Sequence, residues 1–139
     1  MAANTQFSIA VHIMTALAYG GCEDVTSGRI AMSVNTSASF VRRVLAKLSK
    51  AGLIQTSKGK GGSCRLAKEP KKISLLDIYV AVDPPKVFSI HTYEAQGPCA
   101  VSCQIKKSLE KVLVKSQQAV ERSLKQFTLA EIASDIGKA

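Results

Sequence analysis

Two groups of residues in this sequence have chemistry to offer. Cys99 and Cys103 stand four apart, directly after Gly97-Pro98. Proline suits the first turn of a helix, so the spacing predicts two thiols on one face of a helix N-terminus. The helix dipole there favours a thiolate. Lys106 and Lys107, one to two turns on, act in the same direction. Such a pair could share a metal ion or react in sequence with an oxidant. A disulfide between them would distort the first turn, because Cα atoms about 6 Å apart would carry Cβ vectors that do not face. We read Cys99 and Cys103 as redox-sensing thiols, beside the plainer reading of two small packing residues.

The second group is cationic. The chain carries 19 Lys and Arg against 10 Asp and Glu, a net charge of +9. Residues 37–72 hold ten of the basic residues and one acid, so their own net charge equals that of the whole chain. This concentration favours a polyanionic partner, nucleic acid before an anionic membrane surface. No apolar run approaches the roughly 18–20 residues of a membrane span. The start MAANTQFS has neither the basic end nor the apolar stretch of a signal peptide. Four cysteines so spaced do not form a secreted disulfide framework. The expected setting is the reducing cytoplasm.

The positioning elements follow from periodicity. Ile9, Ile13, Ala16 and Leu17 predict a helix over 5–18, ended by Gly20-Gly21. Thr26 opens a short helix to Ser33, Val34-Asn35-Thr36 turns, and a second helix runs from about Ser37 to Ala51, capped by Asn35 or Thr36. At about 100° per residue, Val41, Val44, Leu45 and Leu48 share one face. Arg43, Lys47 and Lys50 fall near the opposite pole beside Ser39 and Ala46, with Arg42 on the flank. A short helix, a turn and a basic helix make a helix-turn-helix pattern. Leu53–Thr56, a Gly- and Lys-rich loop over 57–63 and Cys64–Ala67 then predict a basic hairpin, a wing. The rival reading of that loop as a phosphate cradle fails on spacing and lacks a following helix. Ile73–Val82 predicts a further helix, with Ser74 and Asp77 as capping box and Asp83-Pro84-Pro85 as its stop. A long helix is expected from Pro98 to Phe127. Its stripe of Ile105, Leu109, Val112 and Val120, widened by Leu113, suits docking on another helix. Thr128 and Glu131 open a short terminal helix.

These residues resemble the Rrf-two family of bacterial winged-helix transcription regulators. The likeness rests on Val41-Arg42-Arg43-Val44-Leu45 through Leu48, Ala51-Gly52-Leu53-Ile54, Lys58-Gly59, Arg65-Leu66-Ala67, Ile73–Ile78 with Ala81-Val82, and Gly97-Pro98-Cys99-Ala100-Val101. It covers essentially the whole chain. It implies a homodimer held by the long helix, recognition helices in successive major grooves and wings on the minor groove. Two departures stand out. The family's wing runs Gly-Gly-aromatic where this chain has Gly62-Ser63-Cys64. Its cluster-binding members carry three cysteines about five residues apart, and here only Cys99 and Cys103 stand in that region.

The expected architecture is mainly α with a small two-stranded wing: a winged helix-turn-helix over 1–83, a linker over 84–97, and a dimerisation helix with the short terminal helix over 98–139. The expected function is sequence-specific binding of double-stranded DNA by a homodimeric repressor, not catalysis. Ser37, Ser39, Arg42, Arg43 and Lys47 are its predicted helix contacts, and Lys58 and Lys60 its wing contacts. Ile105, Leu109, Val112, Leu113 and Val120 form the predicted dimer seam. No metal or cofactor is expected. His12, one turn from Ser8, would complete only part of a cluster site; His91 reads as a surface residue, Cys64 as packing and Cys22 as a loop thiol. The alternatives are a thiol-disulfide oxidoreductase using Cys99 and Cys103, an iron–sulfur-sensing regulator, and an interaction module whose long helix binds another protein.

Overall fold

Burial of one helical stripe after another organises the N-terminal part of the chain. The structure, a computed structural model, describes residues 5–19, 25–57 and 63–137. Helix α1 (Gln6–Tyr19) turns Ala10, Ile13, Met14 and Leu17 fully inward. Helix α2 (Ser27–Val34) begins where the Thr26 hydroxyl accepts the N–H of Arg29 at 3.2 Å. It closes at Asn35, whose φ of 65° lies in the left-handed region that asparagine tolerates. Helix α3 (Ala38–Lys50) is capped by Ser37, whose Oγ accepts the Phe40 N–H at 3.2 Å. The sequence offers Asn35 or Thr36 for this role, but Asn35 is consumed in closing α2, so the cap moves on to Ser37. After α3 the chain reverses through Gly52 at φ 79°, a conformation that favours glycine.

Strands β2 (Ile54–Thr56) and β3 (Ser63–Leu66) form the expected hairpin, with Ile54 opposite Leu66 and Thr56 opposite Cys64. A third strand joins them. β1 (Val25–Thr26) pairs antiparallel with the other edge of β3, giving the order β1-β3-β2. Two residues are too few to show a strand's alternation, so β1 is visible only through its pairing. Cys64 thereby sits in the central strand and is buried. A small thiol fits that site.

A 3-10 turn over Pro70–Lys72 leads to α4 (Leu75–Val82). The predicted box is present: Ser74 Oγ accepts the Asp77 N–H at 3.1 Å, and the Asp77 carboxylate accepts the Ser74 N–H at 3.0 Å. Helix α6 (Leu129–Gly137) opens on a similar exchange between Thr128 and Glu131. The sequence groups this helix with 98–139. The structure instead packs it against α1, with Leu129 fully buried. The backbone fixes the junction: Leu129 N–H donates to Ile73 O at 2.8 Å and Leu75 N–H to Phe127 O at 2.9 Å. The first compact unit therefore comprises Met1–Pro84 and Leu124–Ala139.

The second unit is Pro85–Ser123, most of it within helix α5 (Ala100–Lys125). The segment over 84–97, expected as a linker, is laid along α5 from residue 87 on. Val87 N–H donates to Gln117 Oε1 at 3.0 Å, Gln96 N–H to Ser102 Oγ at 2.6 Å, and Lys106 Nζ to the carbonyl of Tyr93. Gln117 is the one α5 residue that this structure buries.

Candidate nucleic-acid interface

Helix α3 is the candidate element because its two faces are chemically opposite. Val41, Val44, Leu45 and Leu48 are buried in the core. Ser39, Arg42, Arg43, Ala46 and Lys50 are exposed on the remainder of the helix. The Arg43 guanidinium lies over the Phe40 ring at 5.4 Å from its centroid. This cation–π contact orients the group without using up its N–H donors. Arg42 and Lys50 line a groove of about 550 Å³ whose far wall is Thr56, Ser57 and Ser63 at the root of the hairpin. The root is closed by Ser57 and Ser63, whose hydroxyls lie 2.7 Å apart and whose backbones are joined by a 2.9 Å hydrogen bond. Ser37 caps α3 as an acceptor, which leaves its hydroxyl proton to donate outward at a helix N-terminus, where anions are favoured.

The predicted contacts are not all brought together. Ser39, Arg42 and Arg43 share the exposed face with Lys50, which the sequence placed at the same pole but did not select. Lys47 departs from them. Its side chain is half-buried, and its ammonium donates to Gln6 Oε1 at 3.1 Å and to Val82 O at 3.5 Å. At about 100° per residue, Lys47 lies roughly 120° from Val41, near the edge of the core face. From there a four-carbon stem reaches inward. Val82 ends α4, where the helix dipole favours a cation. Lys58 and Lys60 lie outside the described residues.

The thiols stand in the second unit. Cys99 occupies the cap position of α5: its Sγ accepts the Ser102 N–H at 3.4 Å, and its carbonyl accepts the Cys103 N–H at 3.1 Å. Both cysteines are exposed. His12 Nε2 is hydrogen-bonded to Ser33 Oγ at 2.9 Å, and exposed His91 lies beside Tyr93. Cys22 lies outside the described residues.

A basic helix after a short helix, followed by a hairpin whose root shares its groove, is the framework of a winged helix. Comparison with known proteins agrees. The model of the Rrf2 family, described as an iron-dependent transcriptional regulator, matches residues 3–135. The chain belongs to the Rrf2 family. Among Rrf2-like relatives, YwnA of Bacillus subtilis (strain 168), named as an HTH-type transcriptional regulator, is 32% identical over 135 residues, which cover 96% of this chain and 98% of YwnA. The HTH-type transcriptional regulator NsrR of Halalkalibacterium halodurans is 29% identical over 110 residues, covering 77% of this chain and 72% of that protein. The solved structure of T. potens IscR superposes with a TM-score of 0.68 at 25% identity, over 98% of this chain and 88% of that one. Rrf2 proteins are DNA-binding transcription regulators of winged-helix form, not enzymes, so the oxidoreductase reading of Cys99 and Cys103 falls.

The Rrf2 description names iron, and the donor set can be tested against it. Among the described residues no group of three His, Cys, Asp or Glu side chains is placed to hold a metal ion. Cys99 and Cys103 offer two thiols, and Cys64 is buried in the sheet. The described residues of one chain do not fit an iron ion or cluster. Among those residues, too, no helix is long and apolar enough to cross a membrane.

The predicted seam of α5 divides in two. Ile105 and Val112 are exposed together with Val101. Leu109 and Val120 are half-buried. Leu113 is half-buried as well, and it faces its own chain: with Phe88, Ile90 and Val114 it lines a groove of about 180 Å³.

The two settings of cations on α3 make a measurable contrast. Lys47→Ala should lower unfolding stability by about 1–2 kcal/mol, since it removes charge-assisted hydrogen bonds that are partly buried. Arg42→Ala should stay within about 0.5 kcal/mol, as surface changes do. Urea unfolding followed by circular dichroism decides. Equal stability of the two variants would mean that the Lys47 bonds carry nothing.

Proposed function

We propose that the protein is a homodimeric, sequence-specific repressor that acts by occupying its operator. The observation that supports this reading is the exposed face of α3, where Ser39, Arg42, Arg43 and Lys50 stand beside a groove rooted in the hairpin. A helix of this kind fits the major groove, its Arg side chains reading guanine edges and its Ser and Lys side chains holding phosphates. Ser37 donates to a phosphate from the helix start. Lys58 and Lys60, on the loop of the hairpin, anchor the register on the backbone. Lys47 acts from behind, as a positioning residue that ties α3 to α1 and α4.

The second copy is called for by α5. A 26-residue helix with one buried residue has a face to cover. Val101, Ile105 and Val112 are exposed along one stripe, and Ser108, Ser116 and Ala119 on the same side allow a neighbouring helix to approach closely. Leu109 and Val120 flank that stripe, whereas Leu113 supports it from within. Two copies joined here would carry two α3 helices, one for each half-site of a two-fold operator.

Cys99 supplies the signal. Its thiolate attacks the O–O bond of a peroxide, takes one oxygen to become a sulfenic acid, and releases the other as water or alcohol. The oxidised sulfur then replaces the group that caps α5, at the end of the dimer helix. Cys103, one turn on, modulates that reaction.

Three outcomes check these statements. The double variant Arg42→Ala/Arg43→Ala should bind a selected operator at least about thirtyfold more weakly in fluorescence anisotropy, at about 1–3 kcal/mol for each of two lost base contacts; unchanged affinity removes α3 from the interface. Val112→Glu places an unpaired charge in the seam and should convert the dimer to monomer in sedimentation velocity, with operator binding lost. A Val112→Glu protein that stays dimeric moves the interface elsewhere. Peroxide should weaken operator binding by the wild type and leave Cys99→Ser unaffected. An equal response from both proteins excludes Cys99 as the sensor.

A further inference from the structure

A cleft of about 630 Å³ opens in the first unit between α1, α2 and α6. Its volume falls within the range of about 300–1,000 Å³ typical of small-ligand sites. The walls are largely apolar, with Val11 and Ala16 from α1, Ile30 from α2, and Ile132 and Ile136 from α6. Ile136 remains half exposed at 50%, and Tyr19, which also lines the cleft, is 63% exposed, so apolar surface is left in water on two of the three helices. The polar groups are few. His12 and Ser33 are bonded to each other across α1 and α2. Among the described residues, Arg29 is the one charged residue of the lining, and no carboxylate lies within 4.0 Å of it. Among the described residues, the cleft thus pairs a hydrocarbon-lined body with a single cation and no acid.

We propose that this cleft binds a small apolar organic anion, a medium-chain or arylalkyl carboxylate, and that its occupancy is passed to α3 through α2. The carboxylate pairs with the Arg29 guanidinium, a geometry suited to two parallel N–H···O bonds. The hydrocarbon lies between α1 and α6, covering Ile132 and Ile136. The His12–Ser33 pair lies along the same wall and gives a second polar point beside the carboxylate. Arg29, Ile30 and Ser33 all belong to α2, which packs directly on α3. A ligand that fastens α2 to α1 and α6 therefore favours one setting of the helix-turn-helix over another, by its difference in affinity for the two. This coupling rests on the reading of α3 as the DNA-contacting helix; the binding itself does not.

The test is calorimetric titration of the full chain, without DNA, with octanoate and with 3-phenylpropanoate, and with octanol as the neutral counterpart of octanoate. Saturable binding of at least one acid is expected. Arg29→Gln should weaken it about ten- to a hundredfold, the worth of a charge-assisted hydrogen bond, and should leave octanol little changed. Ala16→Phe fills the cleft and should abolish binding of acid and alcohol alike. Should that variant fail to fold, Ile136→Asp at the exposed mouth repels the acid instead and should abolish its binding. The site is overturned if neither acid binds saturably, if Arg29→Gln and the cleft variant bind as the wild type does, or if Ala16→Phe splits the dimer while the acids leave the wild type untouched, which would make the cleft a seat for a second copy. Operator affinity measured with and without the bound acid then tests the coupling. An unchanged affinity overturns the coupling and leaves the site standing, whereas a protein that binds no operator at all overturns the reading of α3.

Discussion

The burial of Val41, Val44, Leu45 and Leu48 is the constraint on which the rest of the protein depends. With those four side chains in the core, the rotation of α3 about its own axis is fixed, and so is the direction of every other residue on it. Arg42, Arg43 and Lys50 face outward because nowhere else is left to them. The hairpin follows α3 after a single glycine turn, so its place beside that helix is set by the same rotation. A cationic surface is thus produced by apolar packing: the core chooses the orientation, and the charges report it.

Lys47 shows how narrow the margin is. One residue type, on one helix, within one turn of Arg43, serves a different purpose because it stands at the border of the packed face. There its stem lies on apolar surface and its ammonium meets a carbonyl at the end of α4 and the amide of Gln6. A wheel drawn at uniform steps sets it about 120° from Val41, between the outer pole and the packed face, and such a wheel knows angle but not side-chain length. The alternation of faces was legible in the sequence; the reach of a long side chain across the border was not.

Other features divide along similar lines. Caps and boxes are local exchanges between residues three apart, so Thr26, Ser74 with Asp77, and Thr128 with Glu131 could be read directly, and the structure has each of them. Asn35 could not be assigned from its type alone, because it suits the end of α2 and the start of α3 equally. The long-range features were hidden for a different reason. β1 has no pattern of its own, and α6 joins α1 through Leu129 by a return of the chain that no local period announces. For the interface, the cationic face and hairpin were legible from spacing and charge. The cleft between α1, α2 and α6 was not, since its lining comes from three separate stretches of sequence.

The segment laid along α5 has a particular character. It is held at Val87, Tyr93 and Gln96, and each time the segment contributes a backbone group while α5 contributes the side chain, from Gln117, Lys106 and Ser102. Every residue type except proline carries the amide hydrogen that two of these bonds use, and all carry the carbonyl that the third uses. Those three anchoring points are therefore indifferent to residue identity and sensitive to residue count. Exchanging side chains there leaves the anchoring bonds intact, whereas adding or removing one residue between residues 87 and 96 would pull the backbone groups out of step with the fixed rise of α5. The helix works as a ruler, and what it measures is the length of the segment beside it.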